Sequence, residues 1–323
     1  GKILDRWFGK TVIHSDRRFS YEDAQDVLNS KDTSTYPALF ELAKHARTLA
    51  AERKRNGAID FESDEIKFKL DEQGKPIAVY KKDRVETHHL VEEFMLLANR
   101  EVAEFIFNKF VDNGKKLPGV YRVHDLPDGE KISELEIFVN AIGLHFHPGK
   151  KIHAKDMQKL LDQAKGHPAE ATIKTATLRS MAKAAYKTVN IGHFGLAFEY
   201  YTHFTSPIRR YPDLCVHRIM HQVLTHSHPS QDFIASLSPI CDNSSAQEIK
   251  AAEAERASIR YKQVEYMSYR VGQEFDVTIS GIADFGIFLQ EPESLAEGLI
   301  KIKDLGTDFY QVDKKTYKVV GQN

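Results

Sequence analysis

HFTSPIRRYPDLCVHR, residues 203–218, sets two adjacent arginines beside a helix start. Ser206 suits an N-cap and Pro207 a first helical position. Ile208, Arg209 and Arg210 then read as a first turn whose free N–H groups and dipole favour an anion. A guanidinium there grips phosphate oxygens at two points. Pro212 fits poorly inside a helix, which leaves open a second placement with the main helix beginning at Tyr211 or Pro212. Taken alone, the run reads equally well as a capped helix with surface arginines.

Outward from this run, helical periodicity covers residues 21–29, 36–55, 88–109, 130–141, 154–164 and 169–186. Residues 58–70 and 77–80 read as strands joined by the turn DEQGKP, while 120–123 and 195–200 read as extended. LTHSHPSQ, residues 224–231, is expected to be a connecting loop, followed by a long helix over 244–269 that ends at Gly272. The period then changes. Phe275, Val277 and Ile279 alternate with polar residues, Gly281 interrupts, and FGIFL and GLIKIKDL follow. Strand and helix do not alternate strictly, which favours an α+β mixed-layer fold over a doubly wound parallel sheet.

With 323 residues, 45 Lys and Arg against 46 Asp and Glu, the chain has room for a large and a small domain but no general basic excess for nucleic acid. KHARTLAAERKR, residues 44–55, is locally basic and reads as the solvated face of a helix. Two cysteines, Cys215 and Cys241, make no disulfide framework, and no signal peptide or long apolar segment is visible, so a reducing cytoplasm is expected. Of 15 histidines, three fall within LHFHPGKKIH, His88 adjoins His89, and His193, His203 and His217 flank the arginine run. Their spacing matches no recognised zinc pattern, so packed or surface histidines are expected.

The longer stretch GHFGLAFEYYTHFTSPIRRYPDLCVHRIM, residues 192–220, resembles the signature of the ribonuclease II and ribonuclease R family, processive RNB-type exonucleases that degrade RNA from its 3′ end. The resemblance extends through WFGKTVIHSDRRFSYEDAQ, NGAIDFESDEIKF, HHLVEEFMLLAN, YRVHDLPDGEK and AEAERASIRYKQVEYM, and leans to the ribonuclease R branch. It implies that residues 1–270 are the C-terminal portion of an RNB-type catalytic domain. Residues 271–323 resemble a partial OB-fold RNA-binding domain whose remaining strands would follow. There Phe285, Phe288, Lys301 and Phe309 are candidates for stacking on bases or meeting the backbone, against the ordinary reading of barrel aromatics as core.

The implied activity is processive 3′-to-5′ hydrolysis of single-stranded RNA to nucleoside 5′-monophosphates, by a monomer without membrane attachment. By the same resemblance Arg209 corresponds to an arginine on the scissile-end phosphate, with Arg210 its neighbour. Glu92 corresponds to an acidic residue on the ribose near the 3′ end, where a carboxylate accepting the 2′-hydroxyl separates RNA from DNA. Helix phase decides between Glu92 and Glu93. Phe61 aligns with a base-stacking aromatic and reads otherwise as an internal strand residue. Glu255 matches an active-site glutamate and reads otherwise as an exposed helical carboxylate. The family builds its catalytic metal site on an Asp-x-Asp-Asp cluster, whereas no two aspartates adjoin in this chain. Magnesium is therefore implied for a parent enzyme with ligands outside this chain, and the fragment alone is expected to be inactive. Two alternatives stay open, a non-catalytic RNA clamp and a metal hydrolase built on histidines.

Overall fold

The computed structural model describes residues 3–59, 66–82, 84–149, 151–306, 308, 310–313 and 318–321. It opens with α1 (Tyr21–Ser30), α2 (Pro37–Asn56), β1 (Ile66–Leu70), β2 (Pro76–Lys81) and α3 (Glu86–Lys109). There follow β3 (Val111–Asp112), β4 (Lys115–Lys116), β5 (Tyr121–Val123), α4 (Gly129–Ala141), α5 (Ala154–Ala164), α6 (Glu170–Ser180) and β6 (Ala185–Lys187). The chain closes with α7 (Tyr211–Leu224), α8 (Gln231–Ser268), β7 (Thr278–Ala283), β8 (Gly286–Gln290), β9 (Glu297–Lys301), β10 (Tyr310–Asp313) and β11 (Lys318–Gly321). Helices and small antiparallel sheets without strict alternation make this an α+β fold, as the sequence pattern implies. Packing divides the chain into two units, 1–59 with 83–125 and 183–248, and 60–82 with 126–182 and 249–323.

In the first unit, α1 begins with a reciprocal cap in which Ser20 Oγ accepts from Asp23 N–H and the Asp23 carboxylate accepts from Ser20 N–H. Pro37 opens α2, and Gly57 closes it in the left-handed region at φ 97°. The core is built on α3, whose Val102 and Ile106 meet Val120 and Val123 around β5 and the apolar face of α7. Cys215, Val216, Ile219 and Met220 repeat on that face at helical spacing, and Leu237 and Cys241 of α8 complete the cluster. Burying each such aliphatic side chain contributes about 1.5–3 kcal/mol. The second unit packs α4 and α5 on α6, with Leu135, Met157, Leu160 and Ile173 inside, and carries the β1–β2 hairpin and the β7–β8–β9 meander. Thr172 Oγ1 of α6 donates to the Ile279 carbonyl at 3.3 Å. No closed barrel forms among the described residues.

Several sequence expectations give way. The helix expected over 169–186 stops at Ser180, and Ala185–Lys187 instead pairs antiparallel with β5 as β6. Residues 195–200 do not extend, because Ala197 enters the left-handed region at φ 54° after a 3₁₀ turn at Phe194–Leu196. The long helix begins at Gln231 rather than 244. Ser230 Oγ accepts from Phe233 N–H at its start, and Pro239 is carried inside the helix between the buried Leu237 and Cys241. Burial there offsets the lost hydrogen bond that makes interior proline costly. Residues 44–55 are more than a solvated face, since the half-buried Arg53 reaches the buried Glu93 at Oε1, 2.6 Å away.

Candidate nucleic-acid site

The arginine run does not fold as a helix capped by Ser206. Arg210 is the extended N-cap residue of α7 and Pro212 its second position, the later of the two placements. Asp213 is the reason. Fully buried in the first turn, its Oδ1 accepts from Ser206 N–H at 2.7 Å and from Arg210 Nη2 at 2.9 Å, so the preceding SPIRR segment folds back as a turn. Ser206 supplies its carbonyl to the N–H groups of Arg209 and Arg210. Phe204 is fixed from two sides, with its N–H donating to Asn99 Oδ1 at 2.9 Å and its carbonyl 2.9 Å from His217 Nε2. The His217 ring also stacks on Phe204 at 4.1 Å.

Arg210, at the end of this turn, lines a cavity of about 270 Å³ within the first unit together with Asn99, Tyr201 and His203. Tyr21 of α1, His88 and Glu92 of α3, and Arg84 just before α3 also line it. Tyr21 and His88 stack at 4.0 Å with their planes 16° apart, and Tyr21 remains partly exposed. Arg84 Nη2 donates to Glu92 Oε2 at 2.8 Å. Helix phase separates the two glutamates: Glu92 lines the cavity, while Glu93 is buried and takes both Nε and Nη2 of Arg53. Arg210 lines the cavity, and its buried Nε has no hydrogen-bond partner among the described residues. The Arg209 side chain is exposed and makes no hydrogen bond or ion pair among the described residues. Its charge nonetheless reaches His203.

Burial dominates the titration of the wall. His203 is drawn down to about 2 by burial, with Arg210 and Arg122 adding to the effect, and His193 to about 3 by burial and its neighbour His124. Both rings are neutral at physiological pH. Burial raises the Tyr201 phenol as well.

Other candidates lie elsewhere. Glu255 is exposed on the part of α8 that belongs to the second unit. Phe285 is exposed and meets Phe288 edge-on at 6.0 Å, and Lys301 is exposed at the end of β9, paired in register with Gly286. Phe61 and Phe309 lie outside the described residues. Sequence reasoning passed over Tyr21, Arg84, Asn99, Tyr201 and Asp213. Of these, Asp213 carries a legible signal, an acidic residue in a first turn just after a proline. Asn99 and Tyr201 carry none, because their 3.3 Å contact joins residues 102 apart in the chain.

An α+β scaffold with Arg210 lining a cavity that also holds one carboxylate and a stacked ring pair suits a nucleic-acid-binding protein. Residues 1–226 match the RNB domain, and the chain belongs to that family. Ribonuclease R of Thermotoga maritima is 39% identical over 333 residues, covering 100% of this chain and 46% of that protein. Ribonuclease R of Aquifex aeolicus is 36% identical over 319 residues, covering 97% and 44%. The solved structure of Mycoplasma genitalium RNase R in complex with ribose-methylated single-stranded RNA matches with a TM-score of 0.84 at 29% identity, covering 94% of this chain and 48% of that one. The chain thus spans about half the length of these relatives.

Proposed function

We propose that this chain is the C-terminal portion of a processive 3′-to-5′ exoribonuclease that hydrolyses single-stranded RNA to nucleoside 5′-monophosphates. The observation that carries this reading is the cavity of the first unit, where distant segments bring together groups suited to one ribonucleotide. Arg210 suits a phosphate, Glu92 a 2′-hydroxyl, and the Tyr21–His88 pair a base. Arg209, free beside the cavity, is assigned to the scissile phosphate, where an always-charged guanidinium offsets charge developing in the transition state. By the family resemblance Glu255 is assigned a catalytic role and Phe61 a stacking role. Phe285, Phe288 and Lys301 are assigned to the strand further from that end, within an OB-type portion at 271–323.

Two-metal phosphodiester hydrolysis needs several carboxylates converging on magnesium. Among the described residues no three His, Cys, Asp or Glu side chains converge in that way, and the one carboxylate lining the cavity, Glu92, is engaged by Arg84. These residues do not fit a magnesium site. Its ligands are assigned to a part of the protein outside this chain, and the chain alone is proposed to be inactive. No helix among the described residues is long and apolar enough to cross a membrane, and a cytoplasmic monomer is part of the proposal.

The test is Arg209→Ala in the full-length protein, read by single-turnover kinetics at saturating RNA. Turnover should fall by about two to three orders of magnitude. Unchanged turnover overturns the assignment. Full-length wild-type protein that binds RNA without shortening it in magnesium favours the clamp. Chelator-sensitive shortening by this chain alone overturns the proposed inactivity.

A further inference from the structure

Tyr186 is 3% exposed, and its Oη lies 2.7 Å from Nδ1 of His203. A buried phenol has one proton to donate, and Nδ1 is the one acceptor it reaches among the described residues. Burial keeps that proton on the phenol, whose pKa is raised to about 12, and keeps the imidazole neutral. A neutral imidazole that accepts at Nδ1 carries its hydrogen on Nε2. His203 lines the cavity, and its Nε2 has no hydrogen-bond partner among the described residues. Arg210, lining the same cavity, holds a second unmatched donor in its buried Nε. A neutral imidazole donor and a guanidinium donor lining one cavity call for an anionic acceptor oxygen.

We propose that His203 is a ligand-contacting residue, set by Tyr186 as a neutral Nε2–H donor that hydrogen-bonds a phosphate oxygen of the strand bound beside Arg210. The inference rests on the RNA reading above and goes beyond it in assigning a neutral contact alongside the charged one. The two contacts differ in a measurable way. Arg210 releases counterions when it meets phosphate, whereas a neutral ring does not, so only loss of Arg210 should flatten the salt dependence of binding, by about one unit of slope.

The experiment uses the full chain in chelator with a labelled single-stranded ribo-oligonucleotide and its deoxy counterpart, titrated at several salt concentrations. His203→Asn should lower affinity about tenfold for both strands, because the phosphate is common to them, with the salt slope unchanged. His203→Gln, whose amide nitrogen reaches the Nε2 position, should recover most of the loss. Tyr186→Phe should weaken binding in the wild-type background but not beside His203→Gln. Nitrogen-15 spectra of the imidazole should report the Nε2-protonated form in wild type and a mixture in Tyr186→Phe. Wild-type affinity in His203→Asn, a loss confined to RNA, or a ring protonated on Nδ1 overturns the proposal. Failure of wild-type protein to bind either strand would instead overturn the RNA reading, and the imidazole spectrum still reports the tautomer separately.

Discussion

Lowering the pH from 7 to 5 should destabilise the first unit through His193 and His203. Burial is the main cause that draws these imidazoles from 6.5 to about 3 and about 2, assisted by His124 at the first and Arg210 at the second. On unfolding, each becomes an ordinary imidazole and takes up a proton once the pH drops below about 6.5. The folded pKa is the lower one, so the unfolded state binds more protons throughout the interval. Stability is therefore full above pH 6.5 and is lost progressively as the pH falls toward 3. Each ring accounts for up to about 1.4 kcal/mol per pH unit, and the pair for roughly 4 kcal/mol at pH 5. That is a large share of the 5–15 kcal/mol that typically holds a domain together. Asp32 and Glu170, held below the usual carboxylate range mainly by hydrogen bonds from Ser34 and Lys174, add their own acid loss at lower pH, so the interval from 6.5 to 5 isolates the histidines. The assay is urea unfolding followed by circular dichroism at pH 7.5, 6.5, 5.5 and 5.0, for wild type, His193→Gln and His203→Asn. Each variant should lose about one proton of linkage in that interval. Wild-type stability that is flat from 7 to 5, or an equal slope in all three proteins, refutes the reasoning.

Arg53→Ala leaves the buried Glu93 carboxylate without its guanidinium and should cost about 3–5 kcal/mol, whereas Arg47→Ala beside the more exposed Glu86 should cost under about 1 kcal/mol. Equal losses in thermal melts would contradict that difference. Leu237→Ala opens a void next to Pro239 in the first-unit core and should cost about 2–5 kcal/mol in urea titrations; a loss below about 1 kcal/mol would show that α8 does not contribute to that core. Glu92→Ala should weaken RNA binding about tenfold or more while leaving DNA binding nearly unchanged, since only RNA offers the 2′-hydroxyl. A common fall for both strands rejects Glu92 as the discriminating residue.

The elements that follow from neighbouring residues were open to reading in the chain itself. Apolar spacing marks α2 and α3 to within two residues, Asp71 and Gly74 mark the β1–β2 turn, and the 192–220 signature marks the family. Where a distant partner decides the conformation, local rules fail. Ser206 has every property of an N-cap, yet α7 starts at Tyr211 because buried Asp213 takes the Ser206 N–H for itself. Ala185–Lys187 continues a helical pattern but pairs with Tyr121–Val123, a buried strand whose backbone groups need partners. Which of Glu92 and Glu93 is buried depends on which face of α3 meets Arg53, a contact between residues 40 apart in the chain. The cavity itself has no sequence signature. Its groups come from stretches near residues 21, 84–99 and 201–210, and what brings them together is burial of the α3 and α7 apolar faces in one core. Residue type and spacing state which chemistry is available, but hydrogen bonds and hydrophobic contacts across a hundred residues determine which of those groups meet.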